Sequence, residues 1–208
     1  MIDDINLPLI LLAALIGSAS PGPATLAISG TSMNSGRRYG LALAAGVTSG
    51  SWMWSIAAAL GLGTIMLANA WAFEMMRYFG ACYLIFLAYK SARSALSVSS
   101  TAMQSMVVNS KRAAYAKGLA LHLTNPKAIL FFGSLFAVGV PPDSPPASLA
   151  IVIVAVGIQS LIIFHGYAWL FSSAPMVTGY VKLRRWFEAI FAVAFGAAGL
   201  KILTARLD

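Results

Sequence analysis

The chain has 208 residues, 59% of them hydrophobic and 10% charged, with a mean hydropathy of +0.81, which excludes the composition of an ordinary soluble domain. Its formal net charge of +8 is spread as short basic clusters between apolar runs, a mark of membrane topology and not of a nucleic-acid surface. The single cysteine, Cys82, excludes an intramolecular disulfide, a CxxC redox pair and a cysteine-rich metal site, and is expected to be a buried, inert thiol.

Nearly every apolar run reaches the roughly 20 residues that cross about 30 Å of hydrocarbon as a helix, and no alternating barrel pattern is visible. The expected fold is therefore an all-α integral membrane protein. The first run extends from about Ile5 to Thr31 and is interrupted at Pro21 to Pro23. Its Ser18-Ala19-Ser20 resembles a signal-peptide cleavage site, but Asp3 and Asp4 stand where a cleavable signal carries positive charge, so a retained first helix is expected.

Span two runs from about Tyr39 to Leu67, and its Ala42, Gly46 and Gly50 form a small-residue seam suited to close helix packing. Span three, about Trp71 to Leu96, carries Arg77 and Tyr78 near its start and Tyr89, Lys90 and Arg93 near its end, as interfacial anchors. The polar, serine-rich stretch Ser97 to Arg112 reads as a cytoplasmic loop that divides one transport domain, 1–208, into halves 1–96 and 113–208. Span four, about Ala113 to Val140, contains Asn125-Pro126-Lys127, and Pro141 to Pro146 stops it. Spans five and six run from about Ala147 to Phe171 and from about Trp186 to Leu203.

Arg37, Arg38, Lys90, Arg93, Lys111, Arg112, Lys117, Lys182, Arg184 and Arg185 fall on one side of this topology, against Arg77, Lys201 and Arg206 on the other. The richer side is cytoplasmic by the positive-inside rule, which places both termini outside. Three spans per half is odd, so any repeat between halves must be inverted. A faint repeat exists: Arg77-Tyr-Phe-Gly-Ala opens span three and Arg185-Trp-Phe-Glu-Ala opens span six.

The two interrupted helices carry the functional expectation. A proline in a helix interior costs about 3 kcal/mol and an ammonium at bilayer depth roughly 2.5 to 3.5 kcal/mol, so Pro126 beside Lys127 suggests a site. From Lys117 to Pro126 is about 14 Å of helix, near the midplane, and from Ile5 to Pro21 about 24 Å at most. Ser20-Pro21 and Asn125-Pro126 each pair an N-cap residue with a proline suited to the first helical position, so each break can begin a new half-helix. Amides near residues 22–24 and 127–129 are then expected to be free for a carboxylate, with Gly22 admitting a ligand and Lys127 reinforcing the charge. Carbonyls near 17–20 and 121–124 are expected to accept from an ammonium, so a zwitterion fits both poles.

The candidate substrate-binding residues are thus Ser20, Pro21, Gly22, Pro23, Asn125, Pro126 and Lys127. Plainer roles stand beside them: the prolines as kinks, and Lys127 as a side chain reaching for an interface. His122 and His165 are either packed, hydrogen-bonded histidines or contacts for protons or substrate. Gln159 reads as a packing contact, and Glu74 and Glu188 as acids near helix starts. No metal ligand set and no cofactor motif is found.

The segments SPGPATLAISGTSMNSGRRYGLALAAGVTSG, RYFGACYLIFLAYKSAR and KGLALHLTNPKAILFFGSLF resemble the LysE/RhtB family of bacterial amino-acid exporters in order, spacing and length. Pro-Gly-Pro at 21–23 and Asn-Pro-Lys at 125–127 are the most specific parts. The resemblance implies a multi-pass inner-membrane exporter of amino acids or close derivatives, driven by proton antiport, with lipid as its surroundings and a homo-oligomer as one arrangement. The family's lysine and arginine exporters are expected to place an acid near the position of Gly50, where this chain has none, so a neutral substrate such as homoserine, threonine or a branched-chain amino acid is favoured. An exporter or channel for metal cations is the alternative, disfavoured because the spans lack clustered acids, cysteines or histidines and because Lys127 repels a cation. A membrane enzyme ranks third, since no mid-membrane acid orients either histidine.

Overall fold

The computed structural model describes residues 5–68, 70–97, 106, 108–141 and 144–204. Asp3, Asp4, Asn69, Arg206 and most of the stretch 97–112 lie outside the described residues, as do the side chains of Glu74, Arg77 and Arg184. The described residues form eight helices: α1 Leu7–Ala19, α2 Pro23–Ser35, α3 Arg37–Ala68, α4 Ala70–Leu96, α5 Lys111–Leu123, α6 Pro126–Gly139, α7 Pro146–Leu170 and α8 Ala174–Thr204.

Local chemistry sets the helix starts. The Asn6 side chain accepts from the Leu9 amide at 3.1 Å, and Ser110 accepts from the Ala113 amide at 3.1 Å, each satisfying a donor that lacks an intrahelical partner. Pro146 opens α7 at a position where its missing N–H costs nothing. Between α2 and α3 the chain turns at Gly36, where the φ of +93° favours glycine through backbone conformation alone, since nothing lies within 4 Å of the place a Cβ would take.

The helices α3, α7 and α8, at 32, 25 and 31 residues, rise about 48, 38 and 46 Å, more than the hydrocarbon thickness. By length and composition together, α7 qualifies as a membrane span, and α1 with α2 qualifies as a pair bent by 53°. The distribution of polarity fits a lipid surround: Leu60, Trp71, Ile162, Trp186 and Val193 lie on the outside, while Ser29, Thr31, Ser51, Ser55 and Ser160 are buried.

Three apolar clusters hold the bundle. Ile10 of α1 packs with Phe132 and Phe136 of α6 and Val152 and Val156 of α7. Ile28, Leu43, Val47, Ala114 and Phe164 join α2, α3, α5 and α7. Ala81, Leu84 and Leu87 of α4 meet Phe191 and Phe195 of α8, with Ile16 and Ala19 of α1 beside them. The small-residue seam is a packing surface: a Cβ on Gly46 would overlap the Tyr115 carbonyl of α5, and one on Gly118 the Leu43 carbonyl of α3.

Three sequence expectations are corrected. Cys82 is exposed on α4 and not buried. The helix expected as the sixth span begins at Ala174, a dozen residues before the expected Trp186, because Pro175 falls in its first turn, where proline is tolerated, and no later proline interrupts it. Glu188 therefore sits inside α8 and not near a helix start; it is 5% exposed and accepts from Ser94 Oγ of α4 at 2.9 Å. Gln159 does more than pack, since its Nε2 donates to the Leu11 carbonyl at 2.9 Å and ties α7 to α1.

Candidate functional site

The segment between α1 and α2 and the segment between α5 and α6 come together. At the first, α1 ends at Ala19, Ser20 is extended, and α2 starts at Pro23. At the second, Thr124 ends α5 and Asn125 caps α6, its Oδ1 accepting from the Lys127 amide at 3.0 Å. A cleft with about 390 Å³ of empty space lies between them, lined on the polar side by Ser20, Gly22, Thr25, Asn125 and Lys127. Ser51, His122, Phe131, Phe132 and Phe164 also line it.

Lys127 spans the two breaks. Its Nζ donates to the Ser20 carbonyl at 3.2 Å and lies in a close contact with Ser20 Oγ. This carbonyl is that of the residue capping α1, just past the end where the helix dipole is negative and acceptors have no intrahelical donor. Gly22 leaves room for this lysine: a Cβ there would stand 3.3 Å from Nζ. What approaches the Gly22 backbone is a side chain of the protein itself, in the place where the sequence suggested a ligand.

The backbone poles are also more occupied than expected. At α6, Asn125 takes the Lys127 amide with its side chain, and the Ala128 and Ile129 amides donate to the Asn125 carbonyl at 2.9 and 3.1 Å. The amides of 127–129 are therefore not free, because asparagine at the cap serves them itself. At α2, the Gly22 amide donates to Thr25 Oγ1 at 2.9 Å and the Leu26 amide to the Gly22 carbonyl at 2.9 Å, and among the described residues the Ala24 and Thr25 amides have no backbone acceptor. Of the carbonyls ending α1, Gly17 accepts from Ser20 Oγ at 3.0 Å and Ala19 from Tyr167 Oη at 2.7 Å. Near the end of α5, the His122 carbonyl accepts from Trp54 Nε1 at 3.3 Å.

Of the residues singled out in the sequence, Ser20, Gly22, Asn125, Lys127 and His122 line the cleft. Pro23 and Pro126 begin α2 and α6 at its edges without lining it, whereas Pro21 precedes the helix: the cap and first position expected at Ser20-Pro21 lie two residues later, at Gly22-Pro23. His165 is outside it, with Nδ1 3.0 Å from the Leu161 carbonyl. Gly50, where the sequence lacks an acid, leaves no room for a side chain: a Cβ there would stand 2.9 Å from His122 Cβ and 3.0 Å from Cδ2. Ser51, Trp54, Thr25, Tyr167 and the three phenylalanines were not singled out. The signal for Ser51 was its position next to Gly50 at the end of the small-residue seam. Among the described residues no three of His, Cys, Asp and Glu gather into a group that could hold a metal ion.

The family model for LysE type translocators matches residues 15–206, which takes in both helix breaks and the whole cleft. The chain belongs to the LysE type translocator family. It is thus a multi-pass membrane transporter and not an enzyme. Curated relatives of this LysE translocator include the threonine efflux protein of Escherichia coli strain K12, 30% identical over 195 residues that cover 92% of this chain and 94% of the relative. The threonine efflux protein of Salmonella typhi is 28% identical over 194 residues, covering 92% and 94%. The homoserine/homoserine lactone efflux protein of Salmonella typhimurium is 28% identical over 200 residues, covering 94% and 95%. No solved structure matches the LysE translocator chain.

Proposed function

We propose that this translocator exports small neutral amino acids of the threonine or homoserine type across the inner membrane, in exchange for protons. The observation that carries the proposal is the Lys127 ammonium, the one formal charge among the described residues lining the cleft, held at the junction of two helix breaks. A substrate carboxylate takes the Lys127 ammonium and the Ala24 and Thr25 amides at the positive end of α2. The substrate ammonium takes the place that Lys127 leaves on the Ser20 carbonyl, and Asn125 and Pro126 fix the turn that aims Lys127. Since no carboxylate lines the cleft, a second positive charge on the substrate would lie beside Lys127 uncompensated, which favours neutral side chains. The efflux functions of the relatives, threonine and homoserine, fit this chemistry.

The test is efflux of a panel of radiolabelled amino acids from preloaded proteoliposomes. Threonine and homoserine should leave at least about tenfold faster than arginine, given the cost of an unpaired charge in the membrane. Their efflux should rise with an opposing pH gradient. Efflux of no amino acid, or of arginine as fast as threonine, overturns the proposal.

The arrangement behind this function is six spans in two inverted halves, α1–α4 and α5–α8, each a broken helix pair followed by two long helices. Both termini then lie outside, and the breaks lie near the midplane. Reporter fusions at Asn69, near Pro145 and at the carboxyl terminus should report the outside, and fusions near Arg38, Gln104 and Lys182 the cytoplasm. A cytoplasmic carboxyl terminus would remove one of the six spans.

A further inference from the structure

His122 has an atom that the carboxylate site does not use. The residue is 4% exposed and lines the cleft, and its Nε2 lies 3.1 Å from Ser51 Oγ. Ser51 Oγ also stands 3.2 Å from the Val47 carbonyl, a contact that only its own O–H can make. Its oxygen is then left to accept, so the ring proton is assigned to Nε2 and Nδ1 is a bare acceptor. That Nδ1 is buried and has no hydrogen-bond partner. Buried acceptors are rarely left unpaired, so a donor is called for.

The ring is held in place on every side. It meets Phe132 edge-on at 6.3 Å and 77°, and Phe164 at 5.9 Å and 70°. On α3 it fills the space that a Cβ of residue 50 would take, so glycine there is what admits the imidazole. The cleft lining thus has a cationic end at Lys127 and an aromatic end where His122, Phe132 and Phe164 meet, and the buried Nδ1 of that histidine has no partner among the described residues.

An amino acid whose carboxylate sits at Lys127 keeps its ammonium at the same end, because both groups are on one carbon. Its side chain points toward the aromatic end. We propose that Nδ1 of His122 accepts a hydrogen bond from a hydroxyl on that side chain, which makes His122 the residue that selects hydroxylated amino acids over their aliphatic isosteres. This rests on the exporter assignment above and names the substrate class within it.

Threonine and valine are near-isosteres that differ in the hydroxyl, so their ratio reads this bond alone. With the full chain in proteoliposomes, each is used unlabelled to compete with radiolabelled threonine. Valine should need about tenfold more than threonine, the range of one buried neutral hydrogen bond. His122→Gln keeps an amide within reach of Ser51 but leaves no acceptor at the Nδ1 position, and the ratio should fall to about one. His122→Asn puts an amide oxygen near the Nδ1 position and should keep most of the preference. Competition by alanine should be equal in all three. A parent ratio near one, or an unchanged ratio in His122→Gln, overturns the assignment of His122, and the parent ratio decides even if His122→Gln does not fold. Failure of every amino acid to compete overturns the exporter assignment instead.

Discussion

Replacing Lys127 with methionine is expected to lower substrate affinity by about ten- to a hundredfold while protein abundance stays near that of the parent. A hydrogen bond to a charged group contributes roughly 1.5 to 3 kcal/mol, which converts to that range. Methionine is close to lysine in length and fills the same path past Gly22, so the loss is of charge and donor, not of volume. Abundance should hold because removing a costly ammonium from the membrane offsets the lost bonds to Ser20. Binding of radiolabelled threonine at matched protein levels makes the measurement. Equal affinity in Lys127→Met and the parent would leave Lys127 a structural tie between α1 and α6 and nothing more.

The second large effect is on folding. Gly118→Val should prevent α3 and α5 from reaching their observed separation, since even a Cβ would meet the Leu43 carbonyl oxygen and lie 3.0 Å from its carbon. The obstacle is backbone, which cannot rotate away as a side chain can. Overpacking costs typically about 1 to 3 kcal/mol where side chains can yield, so a cost above about 3 kcal/mol is expected here. The full chain should be lost from the membrane fraction or aggregate in mild detergent, whereas Gly61→Ala, surrounded by open space in α3, should keep the parent's size-exclusion profile with a Tm equal to or above it. A monodisperse Gly118→Val protein with parental Tm would show that the α3–α5 crossing is not tight.

The places where α1 gives way to α2 and α5 to α6 were legible because proline leaves a strong mark: Pro21 and Pro126 stand within runs whose apolar content asks for continuous helix. The seam at Ala42, Gly46 and Gly50 was legible for a similar reason, small residues at a fixed spacing. What Gly50 accommodates was not, because its neighbour His122 lies 72 positions away on another helix and only the fold brings them together. Free amides at α6 were expected from the general behaviour of helix starts. The Asn125 side chain and carbonyl turn inward instead and take them. Glu188 was misplaced because its flanking Arg185 and Trp186 look like an interfacial start, although the helix has already run for more than ten residues.

The bond between Lys127 and Ser20 makes the empty site its own competitor. Any molecule that takes the Lys127 ammonium must first separate it from the Ser20 carbonyl 3.2 Å away, so net affinity is a difference between two similar attractions and stays modest. When the molecule departs, the tethered amine returns to Ser20 at an effective concentration no dissolved solute matches. Recapture is then disfavoured by the protein's own side chain. Under the export reading proposed above, that built-in rival favours release over tight binding.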